Sequence, residues 1–320
     1  AVAVAPIVTS NTVGDRLTNL GALPVARLFL WQHAWHMFMD EPLLGVGWGE
    51  FIGQFFQRFS DLPNPGVPTI DPNAHNFILH LLATTGLIGT LVVLVPLGLW
   101  MRRAQTIPVS VEKWWLVCIL AVQAIHGLME YNLWYAQFLG IVALLLGLGE
   151  TSEFRFRGDI WKRTGWVWLA ILLISFVLLA GMMRDYRTME AWIYGRQDAL
   201  ANMSRLEADL QDVQRNSLFR PYAELMHPAL VMADSAISAE KLKLSGRMMR
   251  FAPNSRVAYR HAILLASNGE QTAAKEQLER SIAVYPRELT IFVQQYKGLA
   301  VSNPDKFGEL IRIGQERLSD

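Results

Sequence analysis

The chain has 320 residues, 52% of them hydrophobic and 18% charged, with a formal net charge of +1. That charged fraction falls below the ~25% of ordinary soluble domains, which argues against a single soluble globule. No concentrated basic stripe serves a nucleic-acid backbone, so nucleic acid is excluded as a partner, and the single cysteine, Cys118, excludes an internal disulfide.

The 29 Lys and Arg residues are spread unevenly, with 3 in 1–76, 7 in 77–183 and 19 in 184–320. An apolar middle therefore precedes a polar tail, and the length suits two domains. The chain starts at Ala1, and Ala1–Ser10 has no charged region ahead of an apolar core, so it does not read as a signal peptide. The expectation is a C-terminal part of a larger membrane protein.

Residues 1–76 read as a loop region carrying one interfacial helix. Pro24 opens a predicted helix, Pro24–Met39, which Asp40-Glu41-Pro42 stops. Arg27, Trp31 and Trp35 recur at four-residue steps on one face. With Trp48 they suit a membrane interface, where an indole keeps its ring in apolar surroundings and its N–H wet. Gly45, Gly47, Gly49, Pro63, Pro65, Gly66, Pro68 and Pro72 then predict a long loop ending at Asn73-Ala74-His75-Asn76. The Gly45–Gly49 run lacks a preceding strand and the Lys or Ser of a phosphate loop, so nucleotide binding is set aside.

Phe77–Trp100 is 24 residues without a formal charge, enough at 1.5 Å per residue to cross a hydrocarbon core of about 30 Å. Trp114–Gly149 is too long for one span, and His126-Gly127-Leu128-Met129-Glu130-Tyr131-Asn132 breaks it. This predicts about four spans, 77–100, 114–128, 133–149 and 166–183, the second of them short, tilted or partly re-entrant. Loops 101–113 and 150–165 carry 3 and 4 Lys/Arg, whereas hairpin 127–132 carries none. The positive-inside rule then makes the two basic loops cytoplasmic. It puts 1–76, the hairpin and the tail on the opposite, periplasmic side.

Residues 184–320 read as an all-helical periplasmic domain. Ala191–Arg215 has a long polar helix pattern. Phe251-Ala252-Pro253-Asn254 is echoed 33 residues later by Val284-Tyr285-Pro286-Arg287. Between them Val257–Ser267, a turn at Asn268-Gly269 and Thr272–Val284 predict a helix–turn–helix unit with Ala258, Ala262 and Ala266 at the crossing, as in a tetratricopeptide-like solenoid.

Topology places three polar clusters at one water–lipid boundary: Arg27, then Asn73–Asn76, then His126, Glu130 and Tyr131. A histidine can take a proton from a hydroxyl. An arginine can hold a phosphate and stabilise charge on a departing diphosphate, and a tyrosine can hydrogen-bond a phosphate or sugar. The set suits glycosyl transfer from a lipid carrier to a hydroxyl. Plainer roles stand beside this one. Arg27 can snorkel or pair with Asp40 or Glu41. His75 can enter a helix capped by Asn73, and His126 and Glu130 can form a structural pair. Tyr131, Trp134 and Tyr135 can belong to an aromatic belt, and His80 can be a buried polar contact. His33, His36 and Asp40 have metal-like spacing, but nothing supports a second shell, so no metal site is assigned.

Arg27-Leu-Phe-Leu-Trp31-Gln-His-Ala34, Pro42-Leu-Leu-Gly45-Val-Gly47-Trp-Gly49-Glu-Phe51 and Asn73-Ala-His75-Asn76…Gly86…Gly89 together resemble the O-antigen ligase and polymerase superfamily. His126-Gly-Leu-Met-Glu130-Tyr131-Asn-Leu-Trp-Tyr135-Ala-Gln-Phe138-Leu139 and the helical tail resemble its bacterial protein O-oligosaccharyltransferase branch, with a C-terminal region of the virulence-factor membrane-bound polymerase type. The resemblance implies an all-α fold, polytopic membrane helices of a GT-C-like kind followed by the tetratricopeptide-like domain. It implies a metal-independent inner-membrane glycosyltransferase without a cofactor. Its partners would be an undecaprenyl-diphosphate-linked glycan, membrane lipids and an acceptor protein such as pilin, modified at Ser or Thr. By the same resemblance His75 and Arg27 are catalytic and Tyr131 is a site residue, and Tyr131 with His126, Glu130, Asn73 and Asn76 is expected to bind the donor. O-antigen ligase or repeat-unit polymerase activity, and a non-catalytic membrane-anchored scaffold, are the alternatives.

Overall fold

The structure, a computed structural model, describes residues 22–64, 70–106, 108, 110–150, 158–194, 203–226 and 239–319. The start of the chain, the basic stretch with Arg155 and Arg157, and residues 195–202 of the predicted helix 191–215 lie outside these. Among the described residues all regular structure is helical. The chain divides into two compact units, one within 12–154 and one within 155–320.

The first unit holds α1 (Ala22–Asp40), α2 (Phe51–Arg58), α3 (Phe77–Gln105), α4 (Val111–Gly127) and α5 (Ala136–Leu148). Its core lies where α1, α2 and the start of α3 meet. There Phe29, Ala34, Met37, Phe51, Phe55, Phe56, Phe59 and Leu81 are buried. The rings of Phe29, Phe55 and Phe59 pack within 5.6–6.0 Å of one another. Helix α2 corrects the reading of 45–76 as one long loop. Phe51, Phe55 and Phe59 recur at four-residue steps, and burying that stripe makes eight residues helical between glycines and prolines.

Helix α3 breaks at Gly86 (φ 64, ψ −166), and the 42–47 turn is stitched into the break. Val46 N–H donates to the Ala83 carbonyl at 2.9 Å and Gly47 N–H to that of Thr84 at 3.1 Å, while Leu87 N–H donates to Pro42 at 2.8 Å and Ile88 N–H to Leu43 at 3.2 Å. The turn thus satisfies backbone groups that the break would orphan, a requirement at membrane depth. The approach needs two glycines. A Cβ on Gly45 (φ 69) would lie 2.5 Å from Thr84 backbone, and one on Gly86 would lie 2.4 Å from Leu43 backbone.

Only part of the four-span expectation meets the length requirement. Among the described residues two helices are long and apolar enough to cross a membrane, Phe77–Gln105 and Gly165–Trp192. Helices α4 and α5 have 17 and 13 residues, roughly 26 and 20 Å. They form a hairpin closed by one 3₁₀ turn, Asn132–Trp134, with Asn132 Nδ2 donating to Gln123 Oε1 at 2.8 Å. Trp100 Nε1 donates to the Leu146 carbonyl at 3.0 Å, tying α3 to α5.

The second unit holds α6 (Gly158–Tyr194), α7 (Met203–Asn216), α8 (Arg220–Leu225), α9 (Ala239–Phe251), α10 (Ser255–Ser267), α11 (Gln271–Val284), α12 (Leu289–Ser302) and α13 (Pro304–Ser319). Helix α6 continues through residue 184 without a break. Its apolar window is wholly exposed, and an exposed apolar surface of that extent marks a membrane or partner contact. Helices α10 and α11 turn at Asn268-Gly269, where Gly269 has φ 90. Ala258, Ala262 and Ala266 are fully buried there, as their spacing predicts. The core continues through Leu289, Phe292, Tyr296, Phe307 and Leu310 of the next pair, α12 and α13.

Candidate active site

Three segments far apart in sequence meet at the N-terminal end of α3. Arg27 comes from α1, Asp71–Asn76 lead into α3, and Glu130–Tyr135 form the turn between α4 and α5. Asp71 starts the middle segment with a side-chain turn in which its Oδ1 accepts from Asn73 N–H at 3.0 Å. Ala74 is buried, and its N–H points to His80 Nδ1 at 3.4 Å. Asn76 then caps α3, its Oδ1 accepting from Leu79 N–H at 3.0 Å. The cap is therefore Asn76, which corrects the reading of Asn73 in that role. His75 between them has φ 48, the left-handed region that costs a non-glycine residue about 1–3 kcal/mol and that clusters at functional sites.

The side chains form a chain of alternating charge. Arg27 Nη2 lies 2.6 Å from Glu130 Oε1, and Glu130 Oε2 lies 2.7 Å from His75 Nδ1. His75 Nε2 lies 3.1 Å from Asp71 Oδ2. Arg27 and Glu130 are 33% and 36% exposed, so this is no buried structural lock, and pairs in such surroundings contribute about 0–1 kcal/mol each. Burial alone disfavours the charged imidazole. Hydrogen bonds and charge from Asp71 and then Glu130 outweigh it and hold the His75 pKa above its ordinary 6.5. A carboxylate at each nitrogen favours the imidazolium form of the ring.

Tyr131 presents its ring to His75, centroids 4.9 Å apart and planes at 82°. A hydrogen bond with Tyr135, burial, and the charges of Tyr135, Asp71 and Glu130 push its pKa up to about 12, so it stays a neutral phenol able to donate. Trp134 stacks on the exposed Trp48 at 5.9 Å and meets His80 at 4.9 Å.

Of the residues singled out in the sequence, Arg27, His75, Glu130 and Tyr131 come together. Asn73 and Asn76 shape the loop through backbone and cap. The His126 ring lies outside the cluster, against Phe138 at 6.0 Å, while its carbonyl accepts from Glu130 N–H at 2.8 Å. Arg27 pairs with neither Asp40 nor Glu41, because Asp40 holds Arg58 at 3.0 Å. His80 is a buried polar contact as expected. His33 is buried between Phe29 and Phe55, and burial lowers its pKa to about 4, keeping it neutral. His36 is exposed. Sequence reasoning missed Asp71, although its place four residues before His75 was a usable signal.

The family model described as O-antigen ligase matches residues 4–94, which carry Arg27 and His75. The model described as virulence factor membrane-bound polymerase, C-terminal, matches residues 114–297, which carry Glu130 and Tyr131. A general O-oligosaccharyltransferase of Acinetobacter baylyi (strain ATCC 33305 / BD413 / ADP1) is 30% identical over 165 residues, 50% of this chain and 27% of that protein. The match thus spans about a quarter of that relative's length. No solved structure matches. With more than half of its residues within the second family model, the chain belongs to the virulence factor membrane-bound polymerase family, in the O-antigen ligase superfamily of membrane proteins.

Proposed function

We propose that the chain forms part of a membrane glycosyltransferase that moves a glycan from undecaprenyl diphosphate to Ser or Thr hydroxyls of periplasmic proteins such as pilin. The observation that carries this reading is the Arg27–Glu130–His75 bridge, which joins residues 103 apart in sequence at the end of a membrane helix. One carboxylate there holds a guanidinium and an imidazole. A diphosphate can take Arg27 from Glu130, and an acceptor hydroxyl can take Nδ1 of His75. With Glu130 gone from Nδ1, the ring loses one support for its charge, releases its Nδ1 proton to solvent and becomes a base. His75 takes the hydroxyl proton as the oxygen bonds to the anomeric carbon. The bond from that carbon to the diphosphate breaks, and the electron pair leaves with the diphosphate, whose charge Arg27 and the Tyr131 hydroxyl stabilise. The guanidinium supplies the cation at the leaving group, so transfer should survive chelators.

This reading places the segment before α3, the 127–132 turn and the helical tail together on the periplasmic side of the inner membrane. The α9–α13 hairpins, read as tetratricopeptide-like, would dock the acceptor. The O-antigen ligase match over Arg27 and His75 favours a second reading, transfer to a lipid-linked sugar. Glycoproteomics of envelope proteins with and without the gene separates them. Loss of protein glycan with lipopolysaccharide unchanged supports protein transfer, whereas loss of long lipopolysaccharide supports ligation. Retention of both, also in His75→Ala and Arg27→Ala, leaves a scaffold and refutes transfer.

A further inference from the structure

We propose that Asp71 is the positioning residue of the site, its carboxylate holding the Nε2–H of His75 so that Nδ1 is the nitrogen that receives the acceptor proton. The inference rests on the glycosyl-transfer reading above and assigns a role within it.

The two carboxylates on the ring differ in their other partners. Glu130 is shared: one oxygen is on Arg27 at 2.6 Å and the other on His75 at 2.7 Å. Both of its bonds run to groups that a substrate can claim, so it can leave Nδ1 when donor and acceptor bind. Asp71 is dedicated. Its Oδ2 meets Nε2 at 3.1 Å and its Oδ1 accepts from Asn73 N–H at 3.0 Å. Among the described residues His75 is the only cationic side chain within bonding distance of it. The carboxylate that orients the ring is thus fixed by the loop that carries the ring. The left-handed backbone at His75 is the conformation in which both carboxylates reach it.

The tautomer follows from this asymmetry. A neutral ring that keeps Nε2–H on Asp71 has its lone pair on Nδ1, the position Glu130 vacates. When the acceptor O–H breaks, its proton bonds to Nδ1, and the resulting imidazolium keeps Asp71 as counter-charge on the other nitrogen. A base oriented by a third group is a general device for activating hydroxyls. The charged and titratable groups facing the ring are Asp71, Glu130 and Tyr131, with Arg27 behind Glu130.

The test compares Asp71→Asn, Asp71→Glu and His75→Ala in the complete gene product, in membranes supplied with lipid-linked glycan and a hydroxyl acceptor. Asp71→Asn should lower kcat on the order of 100-fold or more with donor KM unchanged. It should also move the acid limb of kcat/KM to lower pH, because removing the carboxylate removes support for the charged ring, and Asp71→Glu should recover part of the rate. Wild-type kcat in Asp71→Asn, or a loss with the acid limb unmoved, overturns the inference. His75→Ala keeps the levels apart. An inactive His75→Ala with an active Asp71→Asn sinks Asp71 alone, and an active His75→Ala sinks the base role of His75 itself.

Discussion

Each compact unit holds an arginine–carboxylate centre, and the two are built for opposite ends. In the first, Glu130 bridges Arg27 and His75, with Arg27 and Glu130 each about a third exposed. In the second, Glu224 is buried and takes Arg247 at 2.8 Å and Arg220 at 3.0 Å, fastening α8 to α9. Burial alone would raise the Glu224 pKa. The hydrogen bonds from Arg247 and Arg220 win and hold it below its ordinary 4.5. Two permanent cations on one buried carboxylate leave nothing to titrate near neutrality, so that centre is a clasp. The open centre includes a histidine whose charge depends on its partners, so under the proposed function a substrate that draws Glu130 away would change its protonation. If the proposed function holds, exposure and the presence of a titrating member, rather than the ion pair itself, separate the reactive centre from the structural one.

The strongest way to break this comparison is to remove the titrating member. His75→Ala should cut transfer by about 10²–10⁴-fold while the protein still reaches the membrane, as read by glycosylation assay and membrane fractionation. If transfer persisted, the two centres would be of one kind. Next comes Gly86→Ala, which places a Cβ 2.4 Å from Leu43 backbone at a positive φ. It should destabilise the first unit by about 1–3 kcal/mol from backbone strain alone, seen as lower yield and earlier protease cleavage near 42–47, with the second unit intact.

Glu224→Gln should cost about 1.5–3 kcal/mol through weakened charged hydrogen bonds, measured by thermal melting, without changing transfer at permissive temperature. Acid and base sharpen the contrast. Stability from Glu224 is present above its unfolded pKa of 4.5 and is lost as pH falls through its lowered folded value. Stability from His75 is fully present below 6.5 and is lost as pH rises through its raised folded value. The Glu224→Gln melt should therefore lose its acid dependence, whereas His75→Gln should lose an alkaline one. Matching pH profiles in the two variants would erase the distinction. The smallest effect belongs to Arg317→Ala, whose partner Glu279 is 3.1 Å away and exposed. It should shift stability by at most about 1 kcal/mol.

Much of the architecture was legible because it depends on local composition. The uncharged run from Phe77 marks a helix long and apolar enough to cross a membrane wherever it packs. The alanines at 258, 262 and 266 mark a close helix crossing. Helix α2 was hidden because glycines at 45–49 and prolines from 63 read as loop. Its phenylalanines become a helix stripe only when α1 and α3 are there to cover them.

By itself the sequence determined the all-helical class, two of the four expected apolar spans and the identity of the groups able to do proton and phosphate chemistry, since these follow from residue type and spacing. Only the tertiary structure decided which of them meet. It gave Glu130 to both Arg27 and His75, turned His126 away, brought in Asp71 and locked Gly45 against Gly86. The reason is range. Helix propensity acts over a few residues, whereas a hydrogen bond across 103 positions exists only after the helices between them have packed.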